Sequence, residues 1–346
     1  MTIKKALILA AGLGTRLRPV TETLPKSMVP IINRPIIEYI VELCARSGIE
    51  EAVINLHYFP DCIKDYFGHE YNGMKIQYSF EEELLENAGA LANVEDFFSG
   101  EENLLVIASD NIADFDLQAM AKFHEERKAL VTIATTTADD PSKYGVVETA
   151  DDGKILQFQE KPSKEDACSD QVASCCYILS SEIFSYLPKG QKSHFGKEIF
   201  PVLLLENKPI YAFRHAGYWN DVGNPTNYRQ SVHDLMDAKM VHPLAPVRQV
   251  DFVCDPESSI STTTLGKHTT IGPHCTVTNS HITESLLFST SSIASSHLNN
   301  CIISKGCTIT NCTLTNVVLG EDCHLDGVTL ETVALWPKGT TKKVLS

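Results

Sequence analysis

Residues 5–26, KALILAAGLGTRLRPVTETLPK, decide how the first part of this chain folds. They open with an apolar run over 6–11, which is too short for a helix and well suited to a buried parallel strand. The run ends at Gly12 and Gly14, where the backbone can turn sharply and approach a ligand closely. A strand that feeds such a turn, with unbonded N–H groups, is a good receptor for phosphate oxygens.

Positive charge flanks this turn, because Arg16 and Lys26 stand at the two ends of a short loop. A bare G-x-G after a strand is more often an ordinary turn than a phosphate site. The extended pattern G-x-G-T-R-L-x-P-x-T, completed by Pro25 and Lys26, is much more specific. It is not the Walker loop, since no Gly-Lys-Ser/Thr follows, and it lacks the third glycine of a dinucleotide fingerprint.

On these residues the chain resembles the sugar-1-phosphate nucleotidyltransferases, also called NDP-sugar pyrophosphorylases. The positions on the family's signature loop are Gly12, Gly14, Thr15, Arg16, Pro19, Thr21, Pro25 and Lys26. The resemblance implies an α/β fold, with a Rossmann-like nucleotidyltransferase domain and a mostly parallel sheet. It also implies that the nucleotide is bound by Ala11, Gly12, Gly14, Thr15, Arg16 and Lys26.

The composition is that of an ordinary globular protein. A length of 346 residues predicts two domains, and no apolar run approaches the eighteen residues of a membrane span. The net charge of −15 argues against a nucleic-acid partner, and an anionic substrate must therefore meet local cations and a metal ion. The first apolar run is at the lower limit for a signal peptide and continues into the loop, so we expect a cytoplasmic protein. Eleven cysteines without a C-x-x-C pair predict structural thiols.

Apolar strands alternate with helical patterns over the first two thirds of the chain, which is typical of parallel α/β architecture. Helices are predicted over 35–47, 62–67, 88–98 and 117–127, and strands over 52–56, 74–79, 104–108 and 130–136. A proline-containing segment near residue 240 predicts a linker. We therefore predict a nucleotidyltransferase catalytic domain over 1–240 and a second domain over 241–346.

From Leu265 onward, aliphatic residues recur every five or six positions, and the steps sum to a period of sixteen. Three such columns are Val277, Ile293, Ile309, Leu325; Ile282, Leu298, Leu314, Leu330; and Leu287, Ile303, Leu319, Leu335. A fourth column is small throughout: Cys275, Ser291, Cys307, Cys323. One turn of a triangular solenoid explains the period. It resembles the left-handed parallel β-helix of hexapeptide-like repeats at the C-terminus of many family members. Its open end predicts a homo-oligomer, formed through the β-helix or the catalytic domain.

Two aspartates are candidate metal ligands. Asp110 follows the apolar run 104–108, and ligands collect at the carboxyl ends of parallel strands. By itself this residue could equally be a loop aspartate. Asp221 lies in Trp-Asn-Asp-Val-Gly-Asn-Pro and could equally be a turn residue. The family has a metal-binding aspartate at each place, so the resemblance implies that both hold Mg²⁺ and that Asp110 also contacts the nucleotide.

A third cluster resembles the sugar site of the family. Gly145 stands in a Y-G-V-V segment, where glycine lets the backbone approach the sugar. Glu160 and Lys161 stand in an E-K-P segment, where the glutamate accepts hydrogen bonds from sugar hydroxyls and the lysine neutralises the sugar phosphate. Without this context, a Glu-Lys pair is usually a solvated strand edge.

The chain departs from the family in two places. Many relatives have G-T-A-G where this chain has Glu86, Asn87, Ala88 and Gly89, the last of which is expected to contact the nucleotide. Relatives tend to have V-N-A-G-x-Y where this chain has Val172, Ala173, Ser174, Cys175, Cys176 and Tyr177. Twelve histidines show no metal-binding spacing, and those of the solenoid are expected to be exposed rather than an acyltransferase base: His268, His274, His281, His297 and His324.

The predicted reaction transfers a nucleotidyl group from an NTP to a sugar 1-phosphate, with Mg²⁺, and releases pyrophosphate. Arg16 and Lys26 hold the triphosphate, and Lys161 steers the sugar phosphate. GTP and mannose 1-phosphate are the preferred pair. Glucose 1-phosphate with dTTP or UTP is an alternative, and a non-catalytic NDP-sugar sensor is a third reading.

Overall fold

The computed structural model describes residues 3–246, 248–337 and 342–344. Packing divides the chain into two compact units, one containing 1–12 with 40–219 and the other 13–39 with 220–346. The signature loop from Leu13 onward is therefore grouped with the C-terminal part of the chain, whereas Gly12 belongs to the first unit. The border between 240 and 241, drawn on sequence pattern, stays a prediction.

The first unit is built on a twisted mixed sheet, whose main strands are numbered here in chain order. They are β1 (Lys5–Leu9), β2 (Glu51–Leu56), β3 (Met74–Phe80), β4 (Asn103–Ala108), β5 (Val131–Thr137), β6 (Gly145–Thr149), β7 (Ile155–Glu160), β8 (Gln171–Ser180) and β9 (Ile210–Arg214). The order across the sheet is β7-β6-β8-β4-β1-β2-β3, with a short strand, Glu70–Tyr71, at the β3 edge. Strand β5 pairs with β8 and also with β9.

The strands at the centre of this sheet run parallel, whereas the half that contains β6, β7 and β8 includes antiparallel pairs. The pairs β1–β2, β1–β4 and β2–β3 are parallel, as the alternation of strands and helices predicts. Strand β8 runs antiparallel to β4 and β5, and β6 runs antiparallel to β7. The α/β class is confirmed, and the carboxyl ends of β1, β2 and β4 meet at one edge, which is where ligands collect in such sheets.

The helices are α1 (Ile36–Arg46), α2 (Pro60–Phe67), α3 (Glu86–Asn93), α4 (Leu117–Glu126), α5 (Phe200–Leu205) and α6 (Pro225–Met236). The helix predicted over 88–98 is wrong in extent, because the Val94 N–H bonds to the Leu91 carbonyl, three residues back, and a separate 3₁₀ turn, Glu95–Phe98, follows. No helix in the described ranges combines the length and apolar character that crossing a bilayer requires.

The second unit contains α6 and a left-handed parallel β-helix with three faces. Neighbouring coils pair in parallel register sixteen residues apart, as in Val277 with Ile293 and Ile293 with Ile309. These aliphatic side chains are fully buried, which confirms the predicted interior columns. The solenoid begins one coil before the predicted start at Leu265, with strand Phe252–Cys254 paired to Thr269–Ile271.

The corners of the triangle explain the polar residues between the aliphatic ones. Three columns adopt a left-handed backbone: His268, Glu284, Asn300, Asn316, Thr332; His274, Thr290, Gly306, Asp322; and Asn279, Ser295, Asn311, Gly327. Asn, Asp and Gly tolerate this conformation best. At the small column, the Cys275 thiol donates to the Phe288 carbonyl at 3.0 Å and the Cys307 thiol donates to the Gly320 carbonyl at 3.2 Å.

Seven of the eleven cysteines are buried, and the other four, Cys62, Cys168, Cys175 and Cys254, are half-buried. All eleven lie outside disulfides. Burial raises the pKa of Cys44 to about 12 and that of Cys301 to about 11, so neither forms a thiolate near neutral pH.

Helix α6 packs along one corner of the β-helix. His268 Nε2 lies 3.0 Å from an oxygen of Asp237, the residue that ends the helix, and its ring stacks on His233 with centroids 4.1 Å apart. Arg229 Nη2 donates to the Asn316 side-chain oxygen at 3.5 Å. The expectation that the solenoid histidines are exposed is therefore wrong for His268, because α6 covers it.

Candidate active site

The signature loop is held closed by its own side chains. Gly14 has φ +62°, and an added Cβ would lie 2.8 Å from the Lys26 Cβ and 3.2 Å from the Thr21 methyl. The Thr21 hydroxyl donates to the Gly14 carbonyl at 2.8 Å. Glycine is therefore required at 14 by both backbone and space, whereas a Cβ on Gly12 would meet nothing within 4 Å.

The loop and the W-x-D-x-G-x-P segment meet at Asp221. Lys26 Nζ lies 3.4 Å from Asp221 Oδ1, and Arg16 Nη2 lies 3.8 Å from Asp221 Oδ2. The Lys26 side chain is only 9% exposed, whereas that of Arg16 is 63% exposed. One carboxylate thus pairs with two cations, one buried and one mostly exposed, so the three side chains together carry a net positive charge.

The segment around Asp221 is fixed by the start of α6. Asn224 caps that helix by accepting from the Asn227 N–H at 2.9 Å, and Pro225 occupies the first turn. The Asn227 side chain donates to the Asp221 carbonyl at 2.9 Å. A Cβ on Gly223 would lie 2.7 Å from Asp221 Oδ2, so glycine makes room for the carboxylate.

Asp110 lies at the carboxyl edge of the first unit, in the turn after β4. Ser109 anchors that turn by donating through its hydroxyl to the Leu9 carbonyl at the end of β1, at 2.7 Å. The same edge is tied together by Asn55, which accepts from the Ala10 N–H at 2.7 Å and donates to Glu81 Oε1 at 2.8 Å. This network fixes the backbone next to Ala11 and Asp110.

Gly89, predicted to contact the nucleotide, is covered by protein. A Cβ there would lie 2.5 Å from the Gln191 carbonyl and 3.1 Å from the Ser193 nitrogen. The Ala88 and Gly89 N–H groups both donate to the Ser193 carbonyl at 3.0 Å. The glycine is therefore explained by close packing of the 191–193 segment against α3.

Glu160 occupies a notch between two glycines. A Cβ on Gly145 would lie 3.3 Å from Glu160 Oε2 and 2.5 Å from the Phe158 ring, and a Cβ on Gly196 would lie 2.5 Å from the same oxygen. The Lys161 amine lies 3.9 Å from Glu160 Oε1 and is 62% exposed. Gly145, Glu160 and Lys161 are thus brought together, in agreement with their predicted common site.

His194 is the residue of this site that the sequence analysis missed. Its Nε2 lies 3.9 Å from Glu160 Oε1, and its Nδ1 accepts from the Gly196 N–H at 3.1 Å. Burial lowers the pKa of His194, against the charge of Glu160, which raises it. The signal available in the sequence was weak: a histidine and a glycine two residues apart. In the structure His194 caps a π-helical turn, Phe195–Ile199, that contains this glycine.

Both departures from the family pattern place a non-glycine residue in a left-handed conformation. Glu86 has φ +59° and Cys175 has φ +55°, where relatives tend to have glycine. Glu86 pairs with Lys192 at 3.1 Å. Cys175 lies in an irregular part of β8, where the pairing with β5 shifts register between Ala173 and Tyr177. Both positions thus adopt a backbone conformation that favours glycine.

The metal prediction concerns two oxygen donors, Asp110 in the first unit and Asp221 in the second. Within the described ranges, no cluster of three or more His, Cys, Asp or Glu side chains is arranged to hold a metal ion. Each carboxylate is a type of ligand that Mg²⁺ takes, since this ion is usually held by one or two carboxylates and completes its shell with substrate phosphates and water. That these two residues hold the ion stays a prediction.

This fold and these clusters define a nucleotidyl transferase. The family model described as "Nucleotidyl transferase" matches residues 5–238, and the model "GlmU-like, C-terminal hexapeptide" matches residues 252–330. The chain therefore belongs to the nucleotidyl transferase family, and its C-terminal part is a hexapeptide-repeat β-helix.

Curated relatives carry two substrate specificities. The chain is 36% identical over 250 residues to a UTP–glucose-1-phosphate uridylyltransferase of Synechocystis, covering 68% of this chain and 64% of that protein. It is 38% identical over 231 residues to a mannose-1-phosphate guanyltransferase of Debaryomyces hansenii, covering 65% and 62%. It is 31% identical over 233 residues to a mannose-1-phosphate guanylyltransferase of Mycobacterium tuberculosis, covering 67% and 64%. The matches span less than two thirds of the length of these relatives.

A solved structure agrees with the fold. A proposed glucose-1-phosphate thymidylyltransferase from Bacillus anthracis, crystallised with sucrose, matches with a TM-score of 0.61 and 24% identity. The match covers 69% of this chain and 96% of that one. At this identity the likeness bears on the fold alone.

Proposed function

We propose that the protein transfers a nucleotidyl group from an NTP to a sugar 1-phosphate and releases pyrophosphate. The observation that carries the proposal is the pair of cations on the signature loop, Arg16 and Lys26, gathered on Asp221. Two polyanions must approach each other in this reaction, and the sugar phosphate is already a good nucleophile. The chain therefore has to supply positioning and positive charge rather than a general base.

The roles of the residues follow from their exposure. Lys26 is buried and constrained, so it can act as a fixed charge on the triphosphate, whereas the mostly exposed Arg16 can swing onto the leaving pyrophosphate. Gly12 has open space above it, which supports close approach of a phosphate to the backbone there. Lys161, also mostly exposed, is free to neutralise the sugar phosphate, and Glu160 to accept from sugar hydroxyls.

We assign Asp110 and Asp221 as the residues that would hold Mg²⁺. When bound, the ion neutralises phosphate oxygens and helps to orient them. The protein residues contribute the charge balance around it. Lys26 and Arg16 pair with Asp221, so a cation held by this carboxylate would weaken both pairs and would leave the two side chains available to phosphate oxygens.

Two substrate pairs are supported. GTP with mannose 1-phosphate is the first, because several relatives with this specificity match at 31–38% identity. UTP with glucose 1-phosphate is the second, because the Synechocystis match is the longest of the three described above. The sites that distinguish sugars include Ala173, where an asparagine amide of the family pattern is absent.

The test is pyrophosphate release with a matrix of GTP, UTP and dTTP against mannose 1-phosphate and glucose 1-phosphate. We expect one pair to exceed the others by at least about tenfold in kcat/KM, with activity lost on chelation of the divalent ion. Removal of the Lys26 charge should lower the rate by about 10²–10³-fold. If no pair releases pyrophosphate while an NDP-sugar still binds, the protein is a sensor and the proposal is wrong.

A further inference from the structure

Two polar groups at the Glu160 notch, the Glu160 carboxylate and His194 Nε2, have no hydrogen-bond partner among the described residues. In the part of the chain that the structure describes, no hydrogen bond reaches either oxygen of Glu160, although its side chain is only 13% exposed. Its nearest cationic atoms, on Lys161 and His194, are both 3.9 Å away, which is beyond a hydrogen bond. A mostly buried carboxylate in this state calls for donors from a ligand or from water.

The proton of His194 faces this carboxylate. Its Nδ1 accepts from the Gly196 N–H, so a neutral imidazole carries its hydrogen on Nε2. Burial lowers the pKa of His194 and favours that neutral form. Charged groups face the ring from each packed segment: Glu160 and Lys161 from the end of β7, Glu86 from α3, and Lys197 and Glu198 from its own turn. The result is a neutral donor on one side of the gap and an anionic acceptor on the other.

The histidine is held firmly. The Glu198 carboxylate accepts from the His194 N–H at 3.0 Å and from the Ser193 hydroxyl at 2.7 Å. The next residue, Phe195, donates its N–H to the Asn87 side chain of α3 at 2.8 Å. Because its backbone is bonded on both sides, the ring is presented at a fixed position.

We propose that His194 is a sugar-recognition residue, whose Nε2–H and the Glu160 carboxylate hold one hydroxyl group of the sugar 1-phosphate from two sides. The inference rests on the proposed function and deepens it. A hydroxyl oxygen can lie about 2.8 Å from both Nε2 and Oε1, accepting from the first and donating to the second. A phosphate group cannot take this place, because it offers no proton to the carboxylate. Gly145 and Gly196 leave the space that the Glu160 carboxylate and the Phe158 ring occupy, and so allow this carboxylate to lie beside His194.

Two substitutions separate recognition from support. His194→Asn retains an oxygen that can accept from the Gly196 N–H, as Nδ1 does, and removes the Nε2 donor. His194→Gln places its amide N–H near the position of Nε2 and loses the acceptor for Gly196. We expect kcat/KM for the sugar 1-phosphate to fall about tenfold in the first variant and less than about threefold in the second. KM for the NTP should change less than about twofold in either, and the second variant should have the lower melting temperature.

Monodeoxy analogues of the sugar 1-phosphate identify the hydroxyl. In the unmodified protein, one analogue should lose at least about tenfold in kcat/KM. In His194→Asn the same analogue should lose clearly less than it does with the unmodified protein, because the bond from Nε2 is already absent and only the bond to Glu160 is still lost, while the other analogues keep their own losses. Equal losses with every analogue, a parallel change in KM for the NTP, or full activity of His194→Asn would each overturn the inference.

Failure of the proposed function gives a different result. If the unmodified protein releases no pyrophosphate from any pair, calorimetric binding of the NDP-sugar replaces kinetics. Weaker binding to His194→Asn, with His194→Gln close to the unmodified protein, supports the recognition role even for a sensor. Equal binding to all three forms, or no binding to any, overturns it.

Discussion

Replacement of Lys26 by methionine separates the contribution of its charge to folding stability from its contribution to catalysis. The change keeps the apolar stem and removes the cation that faces Asp221 Oδ1 at 3.4 Å. Both side chains are mostly buried, at 9% and 17% exposure, and removing one partner of a buried pair costs about 3–5 kcal/mol. Arg16 remains at 3.8 Å and the Lys26–Asp221 pair is longer than a charge-assisted bond, so we expect a smaller loss, about 2–3 kcal/mol.

Addition of Asp221→Asn to Lys26→Met should recover about 1–2 kcal/mol of this stability, because the carboxylate that has lost its more buried cation is then replaced by a neutral amide. Turnover should not recover. Loss of a charge that acts on the transition state costs about 3 kcal/mol, or about 150-fold in kcat/KM, and Asp221→Asn supplies no replacement.

Urea unfolding and pyrophosphate release measure the two effects on the same preparations. Lys64→Met is the matched control, since the exposed Lys64–Asp61 pair at 3.9 Å should contribute less than about 0.5 kcal/mol. Recovery of turnover in the double variant would show that Lys26 is only a counter-ion for Asp221. If urea unfolding showed no coupling free energy between Lys26→Met and Asp221→Asn, the Lys26–Asp221 ion pair would not contribute to stability.

Three further outcomes follow from local geometry. Burial lowers the pKa of His124 to about 4, so its imidazole is neutral in the folded protein, and its contribution to stability is complete above pH 6.5 and is lost as the pH falls toward 4. From this group, the free energy of unfolding should be about 2 kcal/mol lower at pH 5 than at pH 7. His124→Gln should remove that part of the pH dependence measured by urea unfolding. Gly145→Ala, whose Cβ would lie 2.5 Å from the Phe158 ring, should displace Glu160 and raise KM for the sugar 1-phosphate by at least about tenfold. An unchanged KM would contradict the assignment of the Glu160 notch to the sugar. Cys175→Gly should stabilise the protein by about 0.5–1 kcal/mol in thermal melts. The left-handed backbone costs a non-glycine residue about 1–2 kcal/mol, and the greater entropy of glycine in the unfolded chain offsets part of the gain. A lower melting temperature would mean that contacts of the thiol outweigh the backbone strain.

Local pattern was sufficient where the interaction partner is near in sequence or repeats regularly. The buried strand before Gly12, the glycine turn and the period of sixteen each follow from spacing. The β-helix is the clearest case, since each coil buries its aliphatic residues against the next and needs no distant partner. A helix end was harder to predict, as at Val94, because one shortened hydrogen bond decides it.

Long-range packing decided the rest. Covering of His268 by α6 and the closing of Gly89 under the 191–193 segment depend on residues 31 or more positions away. The proposed role of His194 could not be predicted for the same reason, because it depends on the closeness of His194 to Glu160, which lies 34 positions earlier in the sequence.

By itself, the sequence determined the order of elements, the repeat, the α/β class and the family, because these depend on side-chain periodicity and short motifs. Only the tertiary structure decided which charges stand together, such as Lys26 and Arg16 on Asp221, and which polar groups are left for a ligand, such as Glu160 and His194. The physical reason is that electrostatic and hydrogen-bond energies depend on separations of a few ångströms between distant residues, and spacing along a chain does not encode those separations.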